Sequence, residues 1–243
     1  MDRASIKRQA KDLIQANRPK ILVASLIFLV ISGVISFLSY QLTGPSPSEV
    51  QGLMQASNSG DYQRIMAQYE AMRPNGVESL VSDVLTFLSS ILAVGFMILL
   101  LRMVRRQEYA NGNLLDGFSI WWKIILLNIL MGIFIALWSL LLVVPGIIAA
   151  YKYRMATYLL ITHPEYSLMD CIRESKKRMD GHKGEMFVLD LSFLGWLLLT
   201  AIPVIGWILS IWVTPYIDTT NLLYYESISA DYDPVVEDEP LSF

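Results

Sequence analysis

The sequence predicts an all-α fold, a polytopic membrane helical bundle. Six transmembrane helices are expected as three hairpins, each preceded by a cytoplasmic interfacial amphipathic helix. Three observations predict this class. The 243 residues are 54% hydrophobic and only 17% charged, with a mean hydropathy of +0.45, which is too apolar for an ordinary soluble domain. Long uncharged runs recur along the chain, and the basic residues between them fall into clusters.

The first hairpin is predicted from two separate runs. Residues 21–40 contain twenty residues without a charge, and residues 84–101 contain eighteen more. A bilayer core of about 30 Å needs roughly twenty helical residues, so each run is long enough for one span. Basic residues precede the first run, but no small-residue cleavage site follows it, so we interpret it as an uncleaved anchor.

The second and third hairpins are predicted from two overlong runs. The uncharged stretches 124–151 and 191–217 contain 28 and 27 residues, too many for one span and too few for two. If a few charges are allowed, each block extends to forty residues with a proline near its middle, Pro145 or Pro203. A central helix breaker in a block of this length is typical of a helical hairpin.

The distribution of Lys and Arg supports the same topology. Six basic residues precede the first run, four lie between residues 102 and 123, and seven between residues 152 and 183. Basic residues in short loops stay on the cytoplasmic side. The hairpin arrangement places 17 of the 19 basic residues there, with both termini cytoplasmic, whereas a four-span arrangement would export the third cluster.

The interfacial helices are predicted from a weak repeat before the hairpins. Leu114, Leu115, Asp116 and Phe118 correspond to Leu168, Met169, Asp170 and Ile172, and the N-terminal segment has the same amphipathic character. Their apolar faces are expected at the inner leaflet, with Lys and Arg on anionic headgroups. The alternative is that these basic residues only anchor the topology. The predicted segments are an N-terminal amphipathic helix (1–19), the first hairpin (20–101) with an external insertion (41–82), a basic loop with an interfacial helix (102–123), the second hairpin (124–163, turn at 145–146), a basic amphipathic helix (164–185), the third hairpin (186–225, turn near 203–206) and an acidic disordered tail (226–243).

The external insertion is expected to contain a short amphipathic helix, because Tyr62, Ile65, Met66, Tyr69 and Met72 recur at helical spacing. This helix either packs on its own bundle or binds an envelope partner. The acidic tail either solvates the C-terminus or contacts the basic loops.

Four polar residues fall within the predicted hairpins and form the candidate intramembrane site: Asn128, Lys152, Arg154 and Asp190. A charge near the bilayer centre costs about 2.5–3.5 kcal/mol on insertion scales, so such residues usually face protein or water. Pairing of Asp190 with Lys152 or Arg154 would relieve both costs. The alternatives are that the cations snorkel to an interface, or that the hairpin is shallower than a full span.

The second candidate site is a basic cluster, expected to contact lipid headgroups through Arg173, Lys176, Lys177, Arg178 and Lys183. Catalytic motifs, a glycine-rich phosphate loop and metal-ligand spacing are not found, and one cysteine, Cys171, excludes an internal disulfide. The sequence therefore predicts no enzyme, no cofactor, no metal and no nucleic-acid partner.

Several segments resemble a known family of bacterial integral membrane proteins, domain of unknown function 975. The resemblance rests on "IKRQAKDLI", "LWSLLLVVPGIIAAYKYRMATYLL", "IRESKKRMDGHKGEMFVLDLSFLGW" and "PYIDTTNLLYYE". Lys152, Arg154 and Asp190 depart from the smaller or uncharged residues of the family pattern. The resemblance implies a cytoplasmic-membrane setting and carries over no catalytic residue.

Two functions are expected from these observations. The first is a non-enzymatic, lipid-interacting or accessory component of the bacterial envelope, and the second is a small transporter or transporter subunit for an anionic or amphipathic solute. A water-filled cavity around Lys152, Arg154 and Asp190 would favour transport. A closed, dry bundle with exposed basic amphipathic helices would favour the first function.

Overall fold

The computed structural model describes residues 3–202 and 204–232, which form helices without any strand. The α-helices are α1 (Arg3–Ala16), α2 (Lys20–Thr43), α3 (Pro47–Ser59), α4 (Tyr62–Ala71), α5 (Gly76–Val104), α6 (Trp121–Leu141), α7 (Val143–Tyr153), α8 (Ala156–Thr162), α9 (Leu168–Arg178), α10 (Lys183–Leu191), α11 (Leu194–Thr200) and α12 (Ile205–Ser229), and a 3₁₀ helix covers Asn111–Ile120. Three segments of these are long and apolar enough to cross a membrane: Lys20–Thr43, Gly76–Val104 and Asn111–Leu141. The expected all-helical class is confirmed.

The chain divides into two compact units, residues 1–29 with 90–243 and residues 30–89. The first unit holds the apolar core, which includes the inner faces of α1, α5, α8 and α12. Phe28 of α2 stacks on Phe96 of α5 with ring centroids 4.6 Å apart. This core positions the candidate site described below.

Helix α1 turns its apolar face toward protein. Ile6, Ala10 and Ile14 lie one helical turn apart and are fully buried, and α1 packs against α12. Lys7 of the same helix donates a 3.0 Å hydrogen bond to the Ser192 hydroxyl. The expectation that this apolar face lies at the inner leaflet is therefore wrong, because α12 covers it.

The 3₁₀ helix takes the place of the expected interfacial helix in the segment 102–123. It lies against α5 at a contact between two glycines: a Cβ on Gly95 would meet the Leu114 carbonyl oxygen at 1.9 Å, and one on Gly117 would meet the Ile91 carbonyl oxygen at 2.3 Å. Leu114 is buried in this contact, whereas Leu115 and Phe118 are exposed. Only part of the apolar surface of the 3₁₀ helix is therefore exposed.

The turn of the second hairpin lies earlier than Pro145–Gly146. Helix α6 ends at Leu141 and α7 begins at Val143, with Leu142 in an extended conformation between them. Pro145 falls in the first turn of α7, where a helix tolerates proline because the missing N–H has no intrahelical partner there. Gly146 packs against the Ser139 side chain, so α6 and α7 pack closely together. In the third block Pro203 lies outside the described residues, between α11 and α12.

The second unit contains residues 41–82, the segment that the sequence predicts as an external insertion. Helix α3 starts with a capping box, in which Ser46 and Glu49 bond each other's backbone amides, and ends at Gly60 with φ +66°, a left-handed conformation that suits glycine. Helix α4 packs against α3, and Asp61 caps its first turn. Tyr62 and Tyr69 remain 72% and 58% exposed, whereas Ile65 and Met72 are half-buried, so the predicted apolar face of α4 is only partly covered within this unit.

The segment expected to be an acidic disordered tail is helical at its start. Helix α12 continues to Ser229, and Glu226 is buried against Arg105. The buried ion pair explains why this acidic residue is helical rather than part of a solvated tail. The expected disorder of the residues after 232 lies outside the described residues.

Candidate functional site

An ion pair in the first unit joins two of the predicted intramembrane residues. Arg154 lies between α7 and α8, where the helix is interrupted, and its guanidinium bonds the carboxylate of Asp190 near the end of α10. Tyr151, one turn earlier on α7, donates a 2.8 Å hydrogen bond from its hydroxyl to the same carboxylate oxygen. Of the two expected pairings of Asp190, the structure contains the one with Arg154.

Lys152 faces a different environment. Its ammonium lies 5.2 Å from the centre of the Trp138 ring on α6, a cation–π contact, and its backbone carbonyl accepts a 2.8 Å hydrogen bond from Ser175 of α9. Two residues along a helix point about 200° apart, which places Lys152 and Arg154 on opposite faces. The structure thus separates the two cations that the sequence grouped together.

A cavity of about 390 Å³ adjoins the ion pair. It lies between α5, α6, α8 and α12 of the first unit. Arg154 and Asn128 contribute to its lining, together with the apolar side chains of Val94, Met97 and Leu222. The predicted site is therefore divided: Arg154 and Asn128 line the cavity, Asp190 supports Arg154, and Lys152 contacts Trp138.

Helix α12 supplies three polar lining residues that the sequence analysis did not single out, Asp218, Asn221 and Tyr225. Within the described residues, Asp218 makes no hydrogen bond and no contact ion pair, and the buried Oδ1 atom of Asn221 has no hydrogen-bond partner. The spacing i, i+3, i+7 was the available signal, because it places all three residues on one face of the helix. The cavity thus contains two acceptor groups without donors.

Comparison with known proteins identifies one matching family. The model of the family "Protein of unknown function (DUF975)" matches residues 1–149 and 139–232. The chain belongs to the DUF975 family. Searches of curated proteins and of solved structures find no significant match.

All of the cavity residues of this DUF975 protein lie within the matched ranges. Within the part of the chain that the structure describes, no group of three or more His, Cys, Asp or Glu side chains could hold a metal ion. The cavity lining itself presents hydrogen-bonding and charged groups at Asn128, Arg154 and Asp218.

The basic cluster on α9 is also divided by the fold. Arg173, Lys176 and Lys177 are exposed, and Lys183 pairs with Asp180 at 2.6 Å. Arg178 is only 2% exposed and donates a 3.3 Å hydrogen bond to the Ser229 hydroxyl of α12. The expectation that Arg178 contacts lipid headgroups is wrong. The inward face of α9 carries Cys171, Ser175 and Arg178. The Arg178 side chain is buried because it lies on this face, despite its charge.

A buried charge pair, Arg105–Glu226, lies at the same end of α12. The Arg105 Nε atom donates to Glu226 at 3.0 Å, with side chains only 4% and 12% exposed. Arg102 pairs with Asp116 of the 3₁₀ helix at 2.9 Å. These two pairs tie the end of α5 to α12 and to the 3₁₀ helix, and so stabilise the helices that line the cavity.

Proposed function

We propose that this DUF975 protein is a non-enzymatic polytopic protein of the bacterial cytoplasmic membrane that binds the polar head of an amphipathic lipid. The observation that carries the proposal is the polar cavity beside the Arg154–Asp190 pair. Arg154 presents five N–H donors, and its pair with Asp190 leaves donors for a ligand oxygen. The apolar lining at Val94, Met97 and Leu222 suits the upper part of an acyl chain.

Six spans in three hairpins give this cavity a membrane setting. Helices α2, α5 and α6 supply three spans. The interrupted helix from Val143 to Thr162 has twenty residues, about 30 Å, and α12 has 25, so these segments also reach across a bilayer core. The α10–α11 segment, residues 183–200, is a shorter fifth span of about 27 Å.

The position of the cavity supports access from the inner leaflet. Ser90 and Met97 of α5 lie twelve and five residues before Arg102, the first residue of a cluster expected to be cytoplasmic. At 1.5 Å per residue, the lining of α5 begins about 7.5 Å and ends about 18 Å from that cluster. In this topology both termini are cytoplasmic, and Arg173, Lys176 and Lys177 face anionic headgroups.

The proposal is tested by native mass spectrometry of gently extracted protein. We expect wild type to retain one lipid class. The double variant Arg154→Gln/Asp190→Asn removes both charges together and should lose that lipid. Lys152→Gln is the matched control, since it removes a cation two residues away that contacts Trp138 instead.

The result that would contradict the proposal is equal lipid retention by the double variant and Lys152→Gln, or no retained lipid in wild type. Thermal unfolding of each variant shows whether it is folded before its lipids are compared.

A transporter is the second candidate, and the helix interruptions favour it. The helix breaks between Tyr153 and Ala156 and again between Leu191 and Leu194, and the Arg154–Asp190 pair lies at these two breaks. Broken helices beside a polar site are typical of transporter binding sites. Proteoliposomes with a fluorescent short-chain phospholipid distinguish the candidates. Translocation of the lipid that depends on Arg154 indicates transport. A translocation rate equal to that of protein-free liposomes indicates binding alone.

A further inference from the structure

We infer that the cavity recognises a primary ammonium group, held by Asp218 and Asn221 of α12. This inference rests on the proposed lipid-head binding function and specifies its ligand class. The same chemistry occurs in an aminolipid headgroup, such as that of phosphatidylethanolamine, and in a free alkylamine. The observations that carry it are the charge balance of the site and its two unused acceptors.

The charges of the site favour a cationic group over an anion as the ligand. Arg154 and Asp190 neutralise each other in direct contact. Asp218 lines the same cavity and has no contact ion pair within the described residues, so the three groups, when ionised, sum to −1. An uncompensated carboxylate in an apolar setting is costly, and a bound cation would remove that cost. A purely anionic ligand would increase the charge imbalance.

The acceptors show which kind of cation fits. Asp218 and Asn221 are three residues apart on α12, which brings side chains to the same helical face about 5–6 Å apart at Cβ. The Oδ1 atom of Asn221 is buried without a donor. A primary ammonium has three N–H donors and can bond both groups at once. A quaternary ammonium has none, and so would leave the Asn221 oxygen unsatisfied.

Tyr225 completes the cation-binding face. It lies one further turn along α12, lines the cavity and is 4% exposed. An aromatic ring beside a desolvated cation adds a cation–π attraction. The ester or phosphate oxygens of a zwitterionic head would in turn meet the remaining donors of Arg154. The cavity thus matches a head that carries an ammonium at one end and an anionic group at the other.

The experiment is native mass spectrometry from nanodiscs that contain equal amounts of phosphatidylethanolamine, phosphatidylcholine and phosphatidylglycerol. The first two lipids share their phosphate and net charge and differ in the N–H donors. We expect wild type to enrich phosphatidylethanolamine over phosphatidylcholine by about tenfold, the size of one charge-assisted hydrogen-bond contribution. Asp218→Asn should reduce the enrichment to about onefold. Asp83→Asn, an exposed acid in the second unit, is the matched control and should keep it.

Other outcomes separate the two proposals. If wild type retains phosphatidylcholine or phosphatidylglycerol as well as it retains phosphatidylethanolamine, the ammonium inference is overturned. The proposal that the cavity binds a lipid head would still stand. If wild type retains no lipid that depends on Arg154 and Asp190, both proposals are overturned.

Two further measurements keep the inference falsifiable if Asp218→Asn misfolds. Asn221→Leu should also lower the phosphatidylethanolamine preference, and a full preference in this variant counts against the inference. Free ethanolamine is then added to the wild-type complex that has retained aminolipid. Displacement of the retained aminolipid would show that the site also binds the free amine. If ethanolamine does not displace the lipid, the site requires the intact headgroup. The ammonium inference is overturned if the wild-type protein shows no preference for phosphatidylethanolamine.

Discussion

The two units of this protein are stabilised in different ways. In the first unit (residues 1–29 and 90–243), an apolar core surrounds buried ion pairs such as Arg105–Glu226. In the second unit (residues 30–89), Ala56 is the only buried apolar residue, at 7% exposure, and α3 and α4 depend on local caps. A substitution in the first unit is therefore expected to affect the cooperative core and the cavity, whereas a substitution in the second unit is expected to affect a single helix.

The largest expected effect is that of Glu226→Ala. Removal of one partner of a buried ion pair leaves Arg105 buried and uncompensated, which typically costs about 3–5 kcal/mol. Alkylation of Cys171 measures this loss, because the thiol is fully buried in the native protein and reacts on unfolding. Burial also raises the pKa of the Cys171 thiol to about 11, so the folded protein should react slowly at neutral pH.

Glu70→Ala is the control for this prediction, since Glu70 is an exposed acid on α4 in the second unit. It should change the free energy of unfolding by less than about 0.5 kcal/mol. Similar losses in Glu226→Ala and Glu70→Ala would show that the two units do not differ as described.

The next effect is that of Gly95→Ala at the contact between α5 and the 3₁₀ helix. A Cβ there would lie 1.9 Å from the Leu114 carbonyl oxygen, so the backbone must shift, and overpacking of this kind costs about 1–3 kcal/mol. Gly132→Ala on α6 is the control, because its Cβ would meet no atom within 4 Å. Thermal unfolding should rank Gly95→Ala well below Gly132→Ala, and equal stability would refute the close packing.

A smaller and local effect is expected for Asp61→Ala. Asp61 accepts hydrogen bonds from the Gln63 and Arg64 amides at 3.0 and 3.3 Å, and loss of an N-cap costs about 1 kcal/mol. Hydrogen exchange should become faster in α4 and remain unchanged in α12. Faster exchange in α12 would mean that the two units unfold together.

The smallest effect is a pH dependence at the start of α9. The hydroxyl of Ser167 donates to Asp170 at 2.6 Å and, with the Ser167 amide, holds the pKa of Asp170 below its ordinary value. Since the folded-state pKa is lowered, this stabilisation is present above the ordinary Asp range and is lost as the pH falls through the folded-state value. Exchange of the first-turn amides of α9 should therefore increase only in acid, and Asp170→Asn should abolish that change. An unchanged acid response in Asp170→Asn would refute the assignment.

Composition and periodicity were sufficient to predict the helical class, since a chain this apolar leaves few other ways to satisfy its backbone hydrogen bonds. The pairing of Asp190 with a nearby cation was predicted from the cost of isolated charges, but the choice of Arg154 depends on which side of α7 faces α10. The turn at Leu142 was missed because Pro145 suits a helix start as well as a helix end.

The parts that sequence could not supply depend on which helices meet. The inward position of Arg178 and the burial of Ile6 both follow from contacts with α12, which no local pattern specifies. Asp218 and Asn221 had a visible spacing on one face, but their importance arises from the cavity that α5, α6 and α8 form opposite them. The composition of the site therefore depends on tertiary packing, whereas the helices themselves could be predicted from local sequence patterns.

Photocrosslinking can detect a lipid head in the cavity of the first unit, as we propose. A phospholipid with a diazirine on its headgroup is incorporated into membranes that contain the protein, irradiated, and its adducts are mapped by peptide mass spectrometry. We expect adducts within residues 90–97 and 218–225, the two segments of α5 and α12 that contribute to the cavity lining, and their loss in Arg154→Gln/Asp190→Asn. Adducts confined to exposed residues of α6 such as Ile133 and Leu137, unchanged in that variant, would contradict it.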